Sequence, residues 1–202
     1  MLQMQDAMNT KVNAQWIEQN FAWYRAVWIE CGELIDHYGY KWWKKQNPDM
    51  AQVELEVVDI WHFGMSALFK KDLAFEDLAQ RIDAVVQRHQ AANYDVLAAT
   101  EVLACDSLQN KSFSVALFLH LLDAVGMDLD KLYLSYVGKN VLNFFRQDNG
   151  YKDGSYRKVW AGREDNEHLT ELLAQLDSNS IGLRDDLYEA LNNRYQHALQ
   201  SA

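Results

Sequence analysis

The stretch "ELEVVDIWHFGMSALF", Glu54 to Phe69, decides the fold. Leu55, Val57, Val58, Ile60, Trp61, Phe63, Met65 and Leu68 surround Glu56 and Asp59 so fully that a solvent face is hard to place. A helix of that kind belongs in a core. Yet Glu56, Asp59 and His62 share one side of it. An ionised carboxylate in a core is strongly unfavourable unless something pairs with it, so its partner must lie elsewhere in the chain.

Upstream, Pro48 is the only proline, and with Asn47 and Asp49 it marks a turn and a fresh helix start. Apolar spacing before it predicts a short helical segment over 2–9. It also predicts a long helix over about 13–38, with the aromatic stripe Trp16, Phe21, Trp23, Tyr24 and Trp28. Downstream, the same spacing predicts helices near 75–90, 95–109, 112–125 and 128–147. The stretch 147–163 breaks the period with Asn149-Gly150, Asp153-Gly154 and Gly162, all turn formers. Two amphipathic helices follow, with Asp165 or Asn166 as the candidate cap of the first. Few glycines and a single proline in 202 residues fit an all-α helical bundle. The expectation is a single catalytic domain over 1–202, with room for rigid and mobile parts.

The formal charge of −10 argues against a polymeric nucleic acid as partner, because that requires a basic footprint. A small anion that brings its own cations remains compatible. Cys31 and Cys105 both sit in helical apolar surroundings, which suits free buried thiols in a reducing compartment. "MLQMQDAMNTK" lacks a basic stretch followed by an apolar one, and no apolar run approaches roughly 20 uncharged residues. A cytoplasmic protein without a membrane segment is expected.

Glu30 and Glu33 are three residues apart, as are Glu56 and Asp59, so each pair shares a helical face. Two helices joined by a tight turn near Pro48 should pack antiparallel and bring the four acids together. Four carboxylates side by side cannot all ionise without cations, and oxygen-only donors suit Mg²⁺ or Mn²⁺. For the first helix an ordinary solvated stripe of Glu30, Glu33, His37, Lys41 and Lys44 fits as well. The second helix, with no solvent face to spare, favours the metal. Asp59-x-x-His62 also admits a di-iron reading, but no other helix carries a clean Glu-x-x-His, and a lone histidine is ordinarily a packing or hydrogen-bonding residue.

Six of the nineteen basic residues, Lys139, Arg146, Lys152, Arg157, Lys158 and Arg163, fall within 139–163. Lys139, Asn143 and Arg146 share a helical face, and a glycine-rich loop follows. In an acidic chain this has the composition of a phosphate clamp, although a solvated helix end would look the same. Beside the carboxylates, it points to a polyphosphate with metal.

The strings "LQMQDAMN", "WYRAVWIECGELIDHYGYKWWK", "EVVDIWHF" and "GKNVLNFFRQDNGYKDGSYRKVWAGREDN" resemble, in order, the motifs of the dimeric all-α dUTPases. These belong to the wider all-α nucleoside triphosphate pyrophosphohydrolases. The likeness spans roughly 1–70 and 130–170, and Glu30, Glu33, Glu56 and Asp59 match the superfamily's E-x-x-E and E-x-x-D. Gly32 departs from the alanine more usual there, which loosens the helix by about 1 kcal/mol without removing a ligand.

The resemblance implies a homodimer that hydrolyses dUTP, and also dUDP, giving dUMP and pyrophosphate from dUTP. Such an enzyme limits uracil in DNA and supplies dUMP for thymidylate synthesis. It further implies that Glu30, Glu33, Glu56 and Asp59 hold two or three Mg²⁺, replaceable by Mn²⁺, with Glu30 the choice for general base. Lys139, Arg146 and Lys158, with Asn143 and Tyr151, would bind phosphate charge, Lys152 less clearly so. Gln5 and Asn9 would read uracil as neutral amides, and Trp43 and His62 would line the nucleoside pocket. A pyrophosphohydrolase of broader specificity, a di-iron oxidoreductase and a non-catalytic helical dimer are the rival readings.

Overall fold

A computed structural model describes residues 1–177, 180 and 182–200. Among these, helices run in the order α1 (Leu2–Val12), α2 (Trp23–Tyr38), α3 (Met50–Leu68), α4 (Phe75–Arg88), α5 (Val96–Asn110), α6 (Val115–Val125), α7 (Leu129–Asp148), α8 (Asp165–Leu173) and α9 (Leu183–Gln200). A two-residue antiparallel pair, β1 (Val159–Trp160) and β2 (Arg163–Glu164), is the sheet present. The all-α expectation holds. The chain divides into two compact units, one of Leu2–Leu132 and one of Met1 with Tyr133–Ala202.

In the first unit, α3 is the core helix that its composition demands. Val53, Leu55, Val57, Val58, Ile60, Trp61 and Met65 are buried, packed by α1, α2 and α6. Asp49 caps it by accepting from the Gln52 N–H at 3.3 Å, one residue after Pro48. Gly64 allows close approach on this helix: a Cβ there would lie 2.4 Å from Cζ of Phe113. Asp95 and Ser114 cap α5 and α6 in the same way, and Gly126 at φ +77° closes α6.

Three sequence expectations are corrected here. The long helix over 13–38 begins only at Trp23. Asn13 draws the chain off the helical path by accepting from the Gln15 N–H at 2.9 Å, and Asn20 takes a left-handed φ of +49°. Nor are α2 and α3 joined by a tight turn: Gly39, at φ +93°, ends α2, and residues 39–49 form a loop tied back by the Asp49 N–H donating to His37 O at 3.0 Å. Cys31 is buried, but Cys105 is exposed, on the side of α5 that also leaves Glu101 and Leu108 exposed.

Gly32 sits mid-helix in α2, and a Cβ added to it would meet nothing within 4 Å. Gly32→Ala is therefore expected to stabilise the chain by about 0.5–1 kcal/mol, read as a raised melting temperature. A lowered one would mean that the helix needs glycine for close packing.

The second unit is built on Val141, Leu142, Phe145, Trp160, Leu169, Leu172, Leu187, Leu191 and Tyr195. The Phe145 ring meets Tyr156, Trp160, Tyr188 and Tyr195 edge-on at 5.5–6.2 Å. The cap of α8 is Glu164, in a reciprocal box with Glu167, rather than Asp165 or Asn166. Those two residues are turned inward to other partners.

Candidate active site

Glu30 and Glu33 lie on α2, Glu56 and Asp59 on α3. Residue 37 bonds 49 while residue 30 interacts with 56 and 59, so the two helices run antiparallel. Each of Glu30, Glu33 and Glu56 offers an oxygen within 4.8 Å of the others, and the charge of Asp59 acts on Glu30. Glu56 is only 6% exposed, whereas Glu33 faces solvent, so the group is rooted in the core and open at one edge.

Burial is the first cause of a Glu30 pKa raised to about 9, followed by the charges of Asp59 and Glu56, a hydrogen bond with Glu56, and the charge of Glu33. Glu30 thus keeps its proton at neutral pH when no cation is bound. A hard divalent cation fits this set, because it replaces a held proton with positive charge at an all-oxygen donor group. His37 Nε2 lies 3.5 Å from Glu56 Oε1, a partner hidden in the sequence by the solvated-stripe reading of α2.

Gln5, Asn9 and His62 come together in the same unit, around a residue the sequence reading passed over. Ser66 Oγ accepts from Gln5 Nε2 at 3.1 Å and from Asn9 Nδ2 at 2.9 Å, while its own hydroxyl donates to His62 O at 2.9 Å. Gln5 Nε2 also donates to Asn9 Oδ1 at 3.1 Å, and Gln5 Oε1 accepts from His62 Nδ1 at 2.7 Å. The amide oxygen can only accept, so Nδ1 carries the ring proton. That nitrogen therefore serves the amide cluster and not a carboxylate. Ser66 was legible as a polar residue one turn beyond His62 on an otherwise apolar helix. Trp43 lies in the 39–49 loop, 61% exposed, edge-on to Tyr40 and Trp42.

In the second unit the basic residues are held from within. Arg146 grips Asp165 through Nε at 2.8 Å and an NH2 nitrogen at 2.7 Å, and donates to Asn143 Oδ1 at 3.2 Å. Burial alone pushes Asp165 up, but the Arg146 hydrogen bonds and charge, with Tyr156 and Lys139, outweigh it and hold the carboxyl below its ordinary range. Lys139, 2% exposed, donates to Asn166 Oδ1 at 3.0 Å. Tyr151 is exposed with Arg146 over its ring at 5.9 Å, and Lys158 pairs with Glu164 at 3.1 Å. Asp165, Asn166 and Tyr156 escaped the sequence reading because the first two resemble a helix cap and the third a loop aromatic.

A family model described as dUTPase matches residues 1–151. The chain belongs to the dUTPase family. It is accordingly an enzyme that hydrolyses dUTP, with a nucleotide as its substrate. The match takes in all four carboxylates, the Gln5–Asn9–His62 group and α7 with Lys139, Asn143 and Arg146, and stops short of Lys158 and Asp165. No curated protein matches the chain. Among the described residues, no helix is long and apolar enough to cross a membrane.

Proposed function

We propose that this dUTPase cleaves dUTP to dUMP and pyrophosphate in a Mg²⁺-dependent reaction, accepts dUDP as well, and acts in the cytoplasm to keep uracil out of DNA and supply dUMP. The observation that carries this reading is the convergence of Glu30, Glu33 and Glu56 under the charge of Asp59 in a chain of this family. These four residues would hold two or three Mg²⁺, or Mn²⁺ in their place. Bound there, the ions supply Lewis-acid polarisation of phosphoryl oxygens and an acidified water. Of these ligands, Glu30, once a bound cation has displaced its proton, is the choice for the base that would take a proton from the attacking water.

Lys139, Asn143, Arg146, Tyr151 and Lys158 would bind phosphate charge, and Asp165 and Asn166 fix the orientation of the first and third of these. Gln5 and Asn9 satisfy each other through Ser66 and His62 when no base is present. Uracil carries an N–H between two carbonyls, so it can exchange for those bonds one for one. Cytosine, with a different edge, would leave a buried amide unpaired, which is costly enough to discriminate. His62 and Trp43 would complete the nucleoside pocket. A homodimer suits the aromatic surface left open by Trp28, Trp42 and Trp43, Trp42 being 90% exposed.

Turnover of dUTP, dUDP, dCTP, dTTP and UTP with Mg²⁺, followed by release of pyrophosphate or phosphate, tests this function. The expected result is preference for the deoxyuridine nucleotides by at least about tenfold, lost on chelation. Equal turnover of dCTP and dTTP would overturn the base assignment. Undiminished turnover in chelator would overturn the metal role.

A further inference from the structure

A second group of metal-ligating side chains lies away from the four carboxylates, between α4 and α6. His89 is the C-cap of α4, and α6 presents His120 and Asp123 three residues apart on one face. The ligand atoms of all three lie within 4.8 Å of one another. His89 Nε2 is 2.7 Å from Asp123 Oδ2, and the two imidazole rings are 5.0 Å apart, tilted by 49°. Tyr94 stands on the His120 ring at 5.6 Å. Side-chain exposures of 18% for His89 and 37% for Asp123 leave the group reachable from solvent.

From this geometry we infer a binding site for one borderline transition-metal ion of the Zn²⁺ class, held by His89, His120 and Asp123 with water in the fourth position. The donor set selects the ion: two imidazole nitrogens and one carboxylate oxygen suit Zn²⁺ and not Mg²⁺, which prefers oxygen throughout. Ligands at about 2.1 Å around a tetrahedral Zn²⁺ stand roughly 3.4 Å from one another, so His89 Nε2 and Asp123 Oδ2, now 2.7 Å apart, need part by less than an ångström to admit the ion.

A plain hydrogen bond between the helices would need only His89 and Asp123. It would leave unexplained why His120 is turned to the same point, with a buried Nδ1 that has no hydrogen-bond partner among the described residues. An ion at the point where the three side chains meet explains all three placements. It would clip the end of α4 to α6, a structural role separate from dUTP hydrolysis.

The test uses the full chain, stripped with chelator and then kept in excess Mg²⁺ so that the carboxylates are filled. Zn²⁺ is titrated by calorimetry, and Co²⁺ by visible absorption. The expected result is one equivalent per chain, a Co²⁺ spectrum of mixed nitrogen and oxygen ligation, and a raised melting temperature with Zn²⁺. His89→Ala and His120→Ala should each weaken binding at least about tenfold, the least that loss of even an outer-shell partner costs, while Glu56→Ala keeps the equivalent. Asp123→Asn, which preserves volume and can still accept from His89, guards against a folding defect and should weaken Zn²⁺ without lowering helix content. Absence of a Zn²⁺ equivalent in the unmutated chain overturns the site. So does an equivalent that survives both histidine variants, or one lost in Glu56→Ala. None of these outcomes bears on whether dUTP is hydrolysed.

Discussion

Replacing Glu56 with alanine is expected to abolish Mg²⁺-dependent hydrolysis of dUTP while far-ultraviolet circular dichroism stays unchanged. Glu56 is the most buried of the four carboxylates and touches both Glu30 and His37. Its loss would remove a ligand of the proposed cation from the centre of the group. Several kcal/mol of transition-state stabilisation would depend on that cation, so kcat should fall at least about a hundredfold. An activity within a few fold of the original would remove the carboxylates from the mechanism.

The same substitution has an opposite effect on stability. In the metal-free chain, burial and the neighbouring carboxylates hold the Glu30 pKa up to about 9, whereas an unfolded glutamate titrates near its ordinary 4.5. The native state therefore binds more protons across that window, and stability must fall as pH rises through it. The contribution is fully present below the lower value and gone above the upper one. Glu56→Ala removes one repelling charge and one hydrogen bond from Glu30, leaving burial, Asp59 and Glu33. Urea midpoints measured in chelator from pH 5 to 9 should decline less steeply in the variant than in the unmutated chain. The proposed activity would thus be built from a locally unfavourable arrangement, as expected where function and stability compete.

Asp165→Ala carries the largest expected cost in stability, about 3–5 kcal/mol. Asp165 is fully buried, and the Arg146 guanidinium that it accepts from on two edges is itself mostly covered. Removing the carboxylate strands that cation and also leaves the Tyr156 hydroxyl without its acceptor at 2.8 Å. Urea unfolding followed by tryptophan fluorescence reads the loss, since Trp160 stands in the core of that unit. A change below about 1 kcal/mol would mean that the pair behaves like a solvated surface bridge.

What the sequence revealed and what it concealed follow from the range of the interactions concerned. The apolar girdle of α3 and the three-residue spacing of its acids are local patterns, and both survive intact in the structure. The ranges of α4, α5 and α7 also hold to within two residues, whereas α6 starts three residues later than its apolar spacing suggests, where Ser114 caps it. The start of α2 was hidden because Trp16, Phe21 and Trp23 keep helical spacing through a stretch that Asn13 and Asn20 turn out of the helix. Trp16 is buried through a different route, with its indole N–H donating to Asp6 at 3.0 Å. Asp165 was misread for a related reason: cap chemistry and burial against a distant arginine call for the same residue type, and only tertiary contacts separate them. Ser66 is small and common, so its role emerges only once Gln5, Asn9 and His62 are seen to meet at its hydroxyl.

The four acids come from helices that are neighbours in the chain, α2 and α3, both early in it. Contacts between such neighbours close short loops and form fast. During synthesis, the acidic cluster can therefore assemble as soon as α3 leaves the ribosome, while α7 to α9 are still untranslated. The mutual repulsion of its carboxylates then arises before the rest of the protein exists, and the cation proposed for this cluster would be the first partner able to relieve it.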